Sequence, residues 1–445
     1  MRLVLLGGGG FRTPLIFRAL LQRRAEVPVD ELVLYDLDAS RLAVISAVLE
    51  GIVAGRPAPK VRTTTELDDA LRGADVVFAA IRVGGAAGRV ADERGALRLG
   101  VLGQETVGAG GLTYGLRTLP VMLDIARRVA DVAPDAWLLN FTNPAGMITE
   151  ALREMMGDKV IGICDSPVGL IRRACRAAGV EEAAAVADYV GINHLGWLRS
   201  LDVGGRDLLP AVLADTDALD GIEEGRIFGA ELLRGLGAIP NEYLYFYYSQ
   251  RELVTELTAG TTRGEVVAAD QQSFYAAAHS DPDAALAAWS DARMRREQSY
   301  LAEARGEHDR DRDRQDLIGG GYEHVALDLM SALAGGRPRT VIVNCRNGSA
   351  IGQLPEEMVV EIAGTVTATG VDPLPVDRPL TLHQLGLMAA VRAAERTLIA
   401  AVNQRSVELA RLAFTLHPLV GSPRIAAALV DGAVADNPEL DALLR

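Results

Sequence analysis

Cys164-Asp165 is followed thirty residues later by His194, inside the run Gly191-Ile192-Asn193-His194-Leu195-Gly196-Trp197, and the same chain opens on Gly7-Gly8-Gly9-Gly10. A thiolate and an imidazole together suit a borderline divalent metal, and two protein ligands leave positions for substrate oxygens and water. A glycine run between a strand and a helix lets backbone amides approach a pyrophosphate. Together they point to redox chemistry beside a bound metal. Taken singly, each reads more simply, as a buried cysteine, a structural histidine and a plain tight turn.

The elements that must hold these residues alternate. Leu3 to Leu6 reads as a buried strand, the four glycines as a turn, and Pro14 to Arg24 as a helix with Leu15, Ala19 and Leu20 on one face. Leu32 to Tyr35 is a second strand ending at Asp36, and Asp38 opens the next helix. A carboxylate there grips a ribose diol and repels a 2'-phosphate, so NAD is preferred over NADP. Further strands are expected at Val61 to Thr64, Ala74 to Ile81, Trp137 to Phe141 and Val160 to Cys164, with helices at Pro120 to Val132 and Ala145 to Met156 between them. This rhythm predicts an α/β fold with a parallel, doubly wound sheet. Beyond Asp165 it changes: a helix from Val168 to Ala178, a strand at Tyr189 to Ile192, a smaller second sheet at Val341 to Asn344 and Val359 to Ile362, and long helices over Leu380 to Leu412. The charged stretch Glu303 to Asp316 reads as a solvated helix face or loop.

A chain of 445 residues, 49% hydrophobic and 23% charged, can bury a large core and divide into two domains or one composite unit. A net charge of -14 argues against nucleic acid or an anionic membrane as the main partner and favours a small molecule. Three cysteines, Cys164, Cys175 and Cys345, make no disulfide framework and point to a reducing cytoplasm. The apolar run Met1 to Leu6 is too short for a signal segment or a membrane span.

In order along the chain, Gly7 to Gly10, Asp36-Leu37-Asp38, Ile81-Arg82-Val83-Gly84-Gly85, Gln104 to Gly111, Asn140 to Gly146, Cys164-Asp165-Ser166-Pro167 and Asn193 to Trp197 resemble the motifs of glycoside hydrolase family 4. The resemblance continues through Ile239 to Leu244 and Thr262 to Val266 to Asn344 and Asn347. It implies an NAD- and Mn2+-dependent glycosidase, acting in many members on 6-phosphoglycosides. The implied fold is a Rossmann-like domain over residues 1–165, similar to lactate and malate dehydrogenases, then an α+β domain over 166–445 for metal, substrate and oligomerisation. The implied reaction is an exception to two-carboxylate hydrolysis. NAD takes a hydride from C3, the ketone acidifies the C2 proton, the aglycone is eliminated, water adds, and the hydride returns, with no net turnover of NAD.

Carried over residue by residue, the resemblance makes Cys164 and His194 the ligands of Mn2+ or another divalent metal and Tyr243 the base at C2. A phenol needs a nearby cation to bring its pKa down from about 10. Asp165 becomes the acid at the leaving oxygen or an anchor for a metal ligand, and Glu105 a second candidate for proton transfer or water positioning. Gly7, Gly8, Gly9, Gly10, Asp36 and Asn143 hold NAD, Arg82, Arg89 and Arg263 line the sugar-phosphate pocket, and Asn143 and Asn193 contact substrate. Tyr245, Tyr247 and Tyr248 read as packing. Gly10-Phe11-Arg12 departs from the family, which commonly has a Ser and an aromatic there; Arg12, which falls on the third glycine position of the dinucleotide pattern, either alters the cofactor grip or faces solvent. The β anomer is preferred and the α anomer stays open, and the resemblance alone predicts a homodimer or homotetramer. The rival readings are an NAD-dependent hydroxy-acid dehydrogenase and a catalytically silent nucleotide sensor.

Overall fold

Short runs, most of them apolar, form six parallel strands at the start of the chain. They are β1 (Arg2–Leu6), β2 (Glu31–Tyr35), β3 (Lys60–Thr64), β4 (Val76–Ala79), β5 (Trp137–Asn140) and β6 (Val160–Gly162), in the order 3-2-1-4-5-6. This doubly wound order reverses between β1 and β4, where a crevice opens at the carboxyl ends. Leu3 and Leu5 enter one core cluster with Ile16, Phe17 and Leu20, while Val4 and Leu6 enter another with Leu112, Leu116 and Leu119. Burying each such side chain contributes about 1.5–3 kcal/mol, and cover on both faces explains why β1 reads as unbroken apolar sequence. The computed structural model describes residues 1–301, 304 and 321–444, so the charged stretch Glu303 to Asp316 lies, Ala304 apart, outside the described residues.

The helix expected after Asp36 runs Ala39–Val53, capped by the Asp38 carboxylate, which accepts from the amides of Ser40 and Arg41. The helix expected from Pro120 instead runs Gly108–Val132, with Pro120 inside it. Gln104 Oε1 accepts from the amides of Thr106 and Val107 at 2.6 and 2.9 Å. A Cβ on Gly110 would come within 2.1 Å of the Gln104 carbonyl. Gly108, Gly110 and Gly111 therefore form a first helical turn packed under the Gln104 motif. Glycine's penalty of about 1 kcal/mol in a helix is outweighed by the buried face from Leu112 to Val129.

Beyond β6 the sheet continues antiparallel. β7 (Val186–Ile192) and β8 (Leu195–Val203) form a hairpin, β9 (Arg206–Asp207) extends β8, and β10 (Ile239–Pro240) pairs on its other side. β11 (Arg339–Arg346) and β12 (Val359–Thr367), with β13 (Gly370–Pro373) on β12, complete the order β6-β11-β12-β7-β8-β10. The expected second sheet is thus the middle of one continuous sheet, because β11 covers the backbone edge that β6 would otherwise leave buried and unpaired. Helices Leu382–Gln404 and Val407–Leu416 close the molecule as expected, the first with a capping box between Thr381 and Gln384. Among the described residues no helix is long and apolar enough to cross a membrane, and Cys164, Cys175 and Cys345 are free thiols.

Candidate active site

The carboxyl ends of the parallel strands deliver the first half of the site. Gly7 follows β1, Asp36 follows β2, Arg82 follows β4, Asn143 follows β5 and Cys164 follows β6, and all five line one cavity of about 610 Å³. Gly10, Arg89, Glu105, Asp165, His194, Tyr243 and Arg263 line the same cavity.

The glycine turn is built for backbone contact. Gly7 has φ +83°, and a Cβ there would lie 2.6 Å from the Ala80 carbonyl, while one on Gly8 would lie 2.7 Å from Leu34 Cα. The amides of Gly7 and Gly8 donate to Tyr35, that of Gly10 to Gly7, and that of Gly9 to the Asp36 carboxylate at 3.1 Å. All four are satisfied internally, and Gly8 and Gly9 do not line the cavity. Gly7 and Gly10 remain on the cavity wall. The amides with no partner among the described residues belong to Phe11 and Arg12, at the start of the helix Thr13–Gln22. Asp36 keeps its place at the rim, its second oxygen accepting from Asp38 at 3.1 Å.

His194 and the Tyr243 phenol come from the antiparallel half. His194 occupies the two-residue turn between β7 and β8 with φ +62°, a left-handed conformation that costs a non-glycine residue about 1–2 kcal/mol and persists mainly where function needs it. Its ring stacks on Tyr243 with centroids 3.9 Å apart and planes 11° off parallel. Pairing of β10 with β8, extended by the Asn241 amide donating to Gly196 at 2.8 Å, brings Tyr243 there.

Two observations test whether a metal fits. His194 Nδ1 is buried without a hydrogen-bond partner, and burial pushes the imidazole pKa down to about 4, so the ring is neutral with a lone pair to give. An orphaned buried nitrogen costs about 1–3 kcal/mol, which a bound cation would offset. Burial, with Glu361 and Asp165, pushes the Cys164 thiol well above its usual range, so an ion must displace a proton to bind it. No cluster of three or more His, Cys, Asp or Glu suited to a metal occurs among the described residues. As a pair, Cys164 and His194 would leave positions on an ion for other ligands.

The remaining charges divide into a base relay and a cationic wall. Tyr300 hydrogen-bonds the Tyr243 hydroxyl and donates to Glu242 Oε1 at 3.2 Å, which also accepts from Ser166 at 2.7 Å. Burial pushes the Glu242 carboxyl up to about 7 against the pull of Arg173. Burial and Glu105 hold the Tyr243 phenol well above its usual range, so it needs a cation to act as a base. On the other wall, burial would raise the Glu105 carboxyl, but Arg89, Arg82, Arg296 and Arg12 overcome it and hold it far below the carboxylate range. Glu105 accepts from Arg82 at 2.8 Å and pairs with Arg89 at 2.6 Å. It is therefore a fixed counter-ion, and the expectation of proton transfer from it is withdrawn.

Asp165 is 42% exposed and lies 3.8 Å from Arg12. Arg12 ends the turn as the residue before the helix Thr13–Gln22; its side chain is 38% exposed, and its guanidinium lies 5.1 and 5.0 Å from the Phe141 and Tyr322 rings. Arg263 bonds Ser299 and the Arg296 carbonyl, and so ties the helix Ala285–Gln298 to the cavity. Asn193 does not line the cavity, because its side chain turns to Glu361 and to the Gly146 amide, which corrects its expected substrate contact. The sequence reading missed Arg296, Glu242, Tyr300 and Glu361. Burial, Arg12 and Arg263 push the Arg296 pKa down to about 9, the mark of a guanidinium crowded by like charge. Glu242 carried a signal, a charged residue inside the apolar run from Ile239 to Leu244, whereas Arg296 looks like any other arginine of a charged helix.

A relative from Bacillus subtilis (strain 168), called a probable 6-phospho-beta-glucosidase, is 32% identical over 97% of this chain and 95% of its own. The 6-phospho-beta glucosidase of Thermotoga maritima, solved with manganese, NAD+ and glucose-6-phosphate, superposes with a TM-score of 0.83 at 26% identity, covering 99% of both chains. A 6-phospho-alpha-glucosidase from gut microorganisms, solved with NAD and Mn2+, gives 0.83 at 26% identity over 99% of this chain and 98% of its own. The lactate dehydrogenase of Eimeria maxima, at 11% identity and a TM-score of 0.52, shares the fold alone. The description "Family 4 glycosyl hydrolase" matches residues 2–180, and "Family 4 glycosyl hydrolase C-terminal domain" matches residues 189–420. Motifs, fold and both matched halves agree that this chain belongs to glycoside hydrolase family 4.

Proposed function

We propose that the protein hydrolyses 6-phosphoglucosides, the β anomer by preference, with NAD and Mn2+ or another divalent ion as resident cofactors. The observation that carries this reading is the meeting, in one cavity, of an unpartnered neutral His194 imidazole, the Cys164 thiol, the Tyr243 phenol stacked 3.9 Å away and a crowded arginine wall. The names of the Bacillus and Thermotoga relatives and the ligands of the latter support it.

When bound, NAD supplies reversible oxidation at C3 of the sugar, and the divalent ion supplies positive charge beside the oxygen that results. The chain's own residues do the rest. Phe11 and Arg12 offer amides to the pyrophosphate and Asp36 an acceptor to the ribose. Tyr243, held by Tyr300, moves the proton at C2. Asp165, exposed and next to the metal ligand, protonates the leaving oxygen. Arg82, Arg263 and Arg296 receive the 6-phosphate, whose two negative charges relieve the repulsion that Arg296 feels from Arg12 and Arg263.

The test is p-nitrophenol release from the β and α p-nitrophenyl glucoside 6-phosphates, with and without NAD and Mn2+. The reading predicts faster release from the β substrate and loss of activity when either cofactor is withheld. Cleavage that persists without both would overturn it, and net NADH formation from a hydroxy acid without glycoside cleavage would favour a dehydrogenase.

A further inference from the structure

Glu361 is a buried carboxylate with no role in the chemistry above. It sits on β12 opposite Asn344 of β11 and Gly191 of β7, and Asn344 in turn sits opposite Gly162 of β6. The row Gly162, Asn344, Glu361, Gly191 therefore crosses the sheet from the strand that leads to Cys164 to the strand that leads to His194. Directly paired residues point to the same face of a sheet. The side chains of Asn344 and Glu361 thus occupy the interval between the two ligand-bearing strand ends. Glycine at the edge of that row is required, since a Cβ on Gly162 would meet the Asn344 Cβ at 2.7 Å.

Glu361 is 1% exposed, and its bonds lead to both ends of the metal and base machinery. Oε1 accepts from Asn193 Nδ2 at 3.2 Å and Asn344 Nδ2 at 2.9 Å, and Oε2 accepts from the Tyr189 hydroxyl at 3.1 Å. Asn193 directly precedes His194. The Tyr189 hydroxyl accepts from Asn241 Nδ2 at 3.4 Å, and Asn241 Oδ1 accepts from the Tyr243 amide at 3.0 Å. Both carboxylate oxygens accept and all the donors are neutral. Burial pushes the Glu361 carboxyl up, and none of its hydrogen-bond donors is a cation, so a nearby positive ion would favour its charged form.

We infer that Glu361 is a positioning residue for the divalent metal, fixing the Asn193–His194 turn in place and supplying negative charge that a cation held by Cys164 and His194 would offset. This rests on the reading of Cys164 and His194 as metal ligands. Partners of this kind behind metal ligands typically change metal affinity by about 10–100-fold when removed.

The experiment is calorimetric titration of the metal-free full chain with Mn2+, for wild type, Glu361→Gln and Tyr189→Phe, with NAD affinity measured on the same samples. The expected result is Mn2+ affinity lowered by roughly 10–100-fold in Glu361→Gln and by less in Tyr189→Phe, with NAD affinity unchanged in both. Equal Mn2+ affinity in wild type and Glu361→Gln overturns the inference. So does parallel loss of Mn2+ and NAD binding, which marks a general structural role. If Glu361→Gln does not fold, Tyr189→Phe decides: weaker Mn2+ binding supports the inference and unchanged binding overturns it. A wild-type chain that takes up no Mn2+ overturns the metal-ligand reading beneath it, a separate failure.

Discussion

Around β1 the surface offered to a ligand is mostly backbone, whereas around β6 and β7 it is side chains drawn from segments far apart in the chain. The four-glycine turn meets its own hydrogen-bonding needs within residues 7–36, and its demand, no Cβ at consecutive positions, is local. Cys164 and His194 are close in sequence, yet the sheet separates their strands by β11 and β12, which arrive from residues 339–367. The lesson is that the cofactor half of the site is a turn, while the metal and base half is a product of strand pairing. Substitutions in one half should therefore leave the other half's ligand bound.

The largest expected effect separates the halves most cleanly. Tyr243→Phe should lower turnover and solvent exchange of the C2 proton by roughly 10²–10⁴-fold, the range for a lost general base, with NAD affinity unchanged. If exchange continues at the wild-type rate, the base has been misassigned. Next in size is Arg296→Met, which removes a guanidinium crowded by Arg12 and Arg263. The substrate-free protein should melt at a higher temperature, while KM for a 6-phosphorylated substrate rises roughly 10–100-fold, matching about 1.5–3 kcal/mol for a charged hydrogen bond. A raised KM with a lowered melting temperature would contradict the account of that wall. In the cofactor half, Gly8→Ala places a Cβ 2.7 Å from Leu34 Cα. It should cost about 1–3 kcal/mol by overpacking, read by thermal unfolding, and weaken NAD while sparing Mn2+. Loss of Mn2+ alone would break the comparison.

The smallest effect on ligand binding belongs to a control outside both halves. Burial pushes the pKa of His417 down to about 3, and its Nδ1 accepts from the Leu419 amide at 3.2 Å. A histidine depressed in the folded state binds its proton first in the unfolded chain. Its contribution is complete above the unfolded pKa of about 6.5, and stability falls by up to about 1.4 kcal/mol per pH unit as pH drops towards 3. His417→Gln should flatten that acid limb in chemical unfolding without altering NAD or Mn2+ affinity. An acid limb as steep as wild type would show that other groups set it.

What was legible in the sequence follows the same division. The six parallel strands, the Asp38 cap and the strand-end placement of Asp36, Arg82, Asn143 and Cys164 could all be read because apolar runs and turn residues report local structure. The helix start at Gly108 was hidden because a buried face from Leu112 onward overrides the weak helix preference of Gly108, Gly110 and Gly111. Strands β11 and β12 were seen but assigned to a separate sheet, since nothing local in Val341 or Val359 says which edge they cover. Glu361 and Arg296 stayed invisible for a related reason: their meaning lies in what surrounds them, and only the folded sheet brings Asn193, Asn344 and Tyr189 onto one carboxylate.

The central claim is that the Tyr243 phenol, the Cys164 and His194 pair and the nicotinamide site serve one sugar. The most direct test is to hydrolyse p-nitrophenyl β-glucoside 6-phosphate in D2O with NAD and Mn2+ and to measure deuterium at C2 of the released glucose 6-phosphate. The account predicts deuterium incorporated at C2 in the product. Full hydrolysis with protium retained at C2 would contradict it.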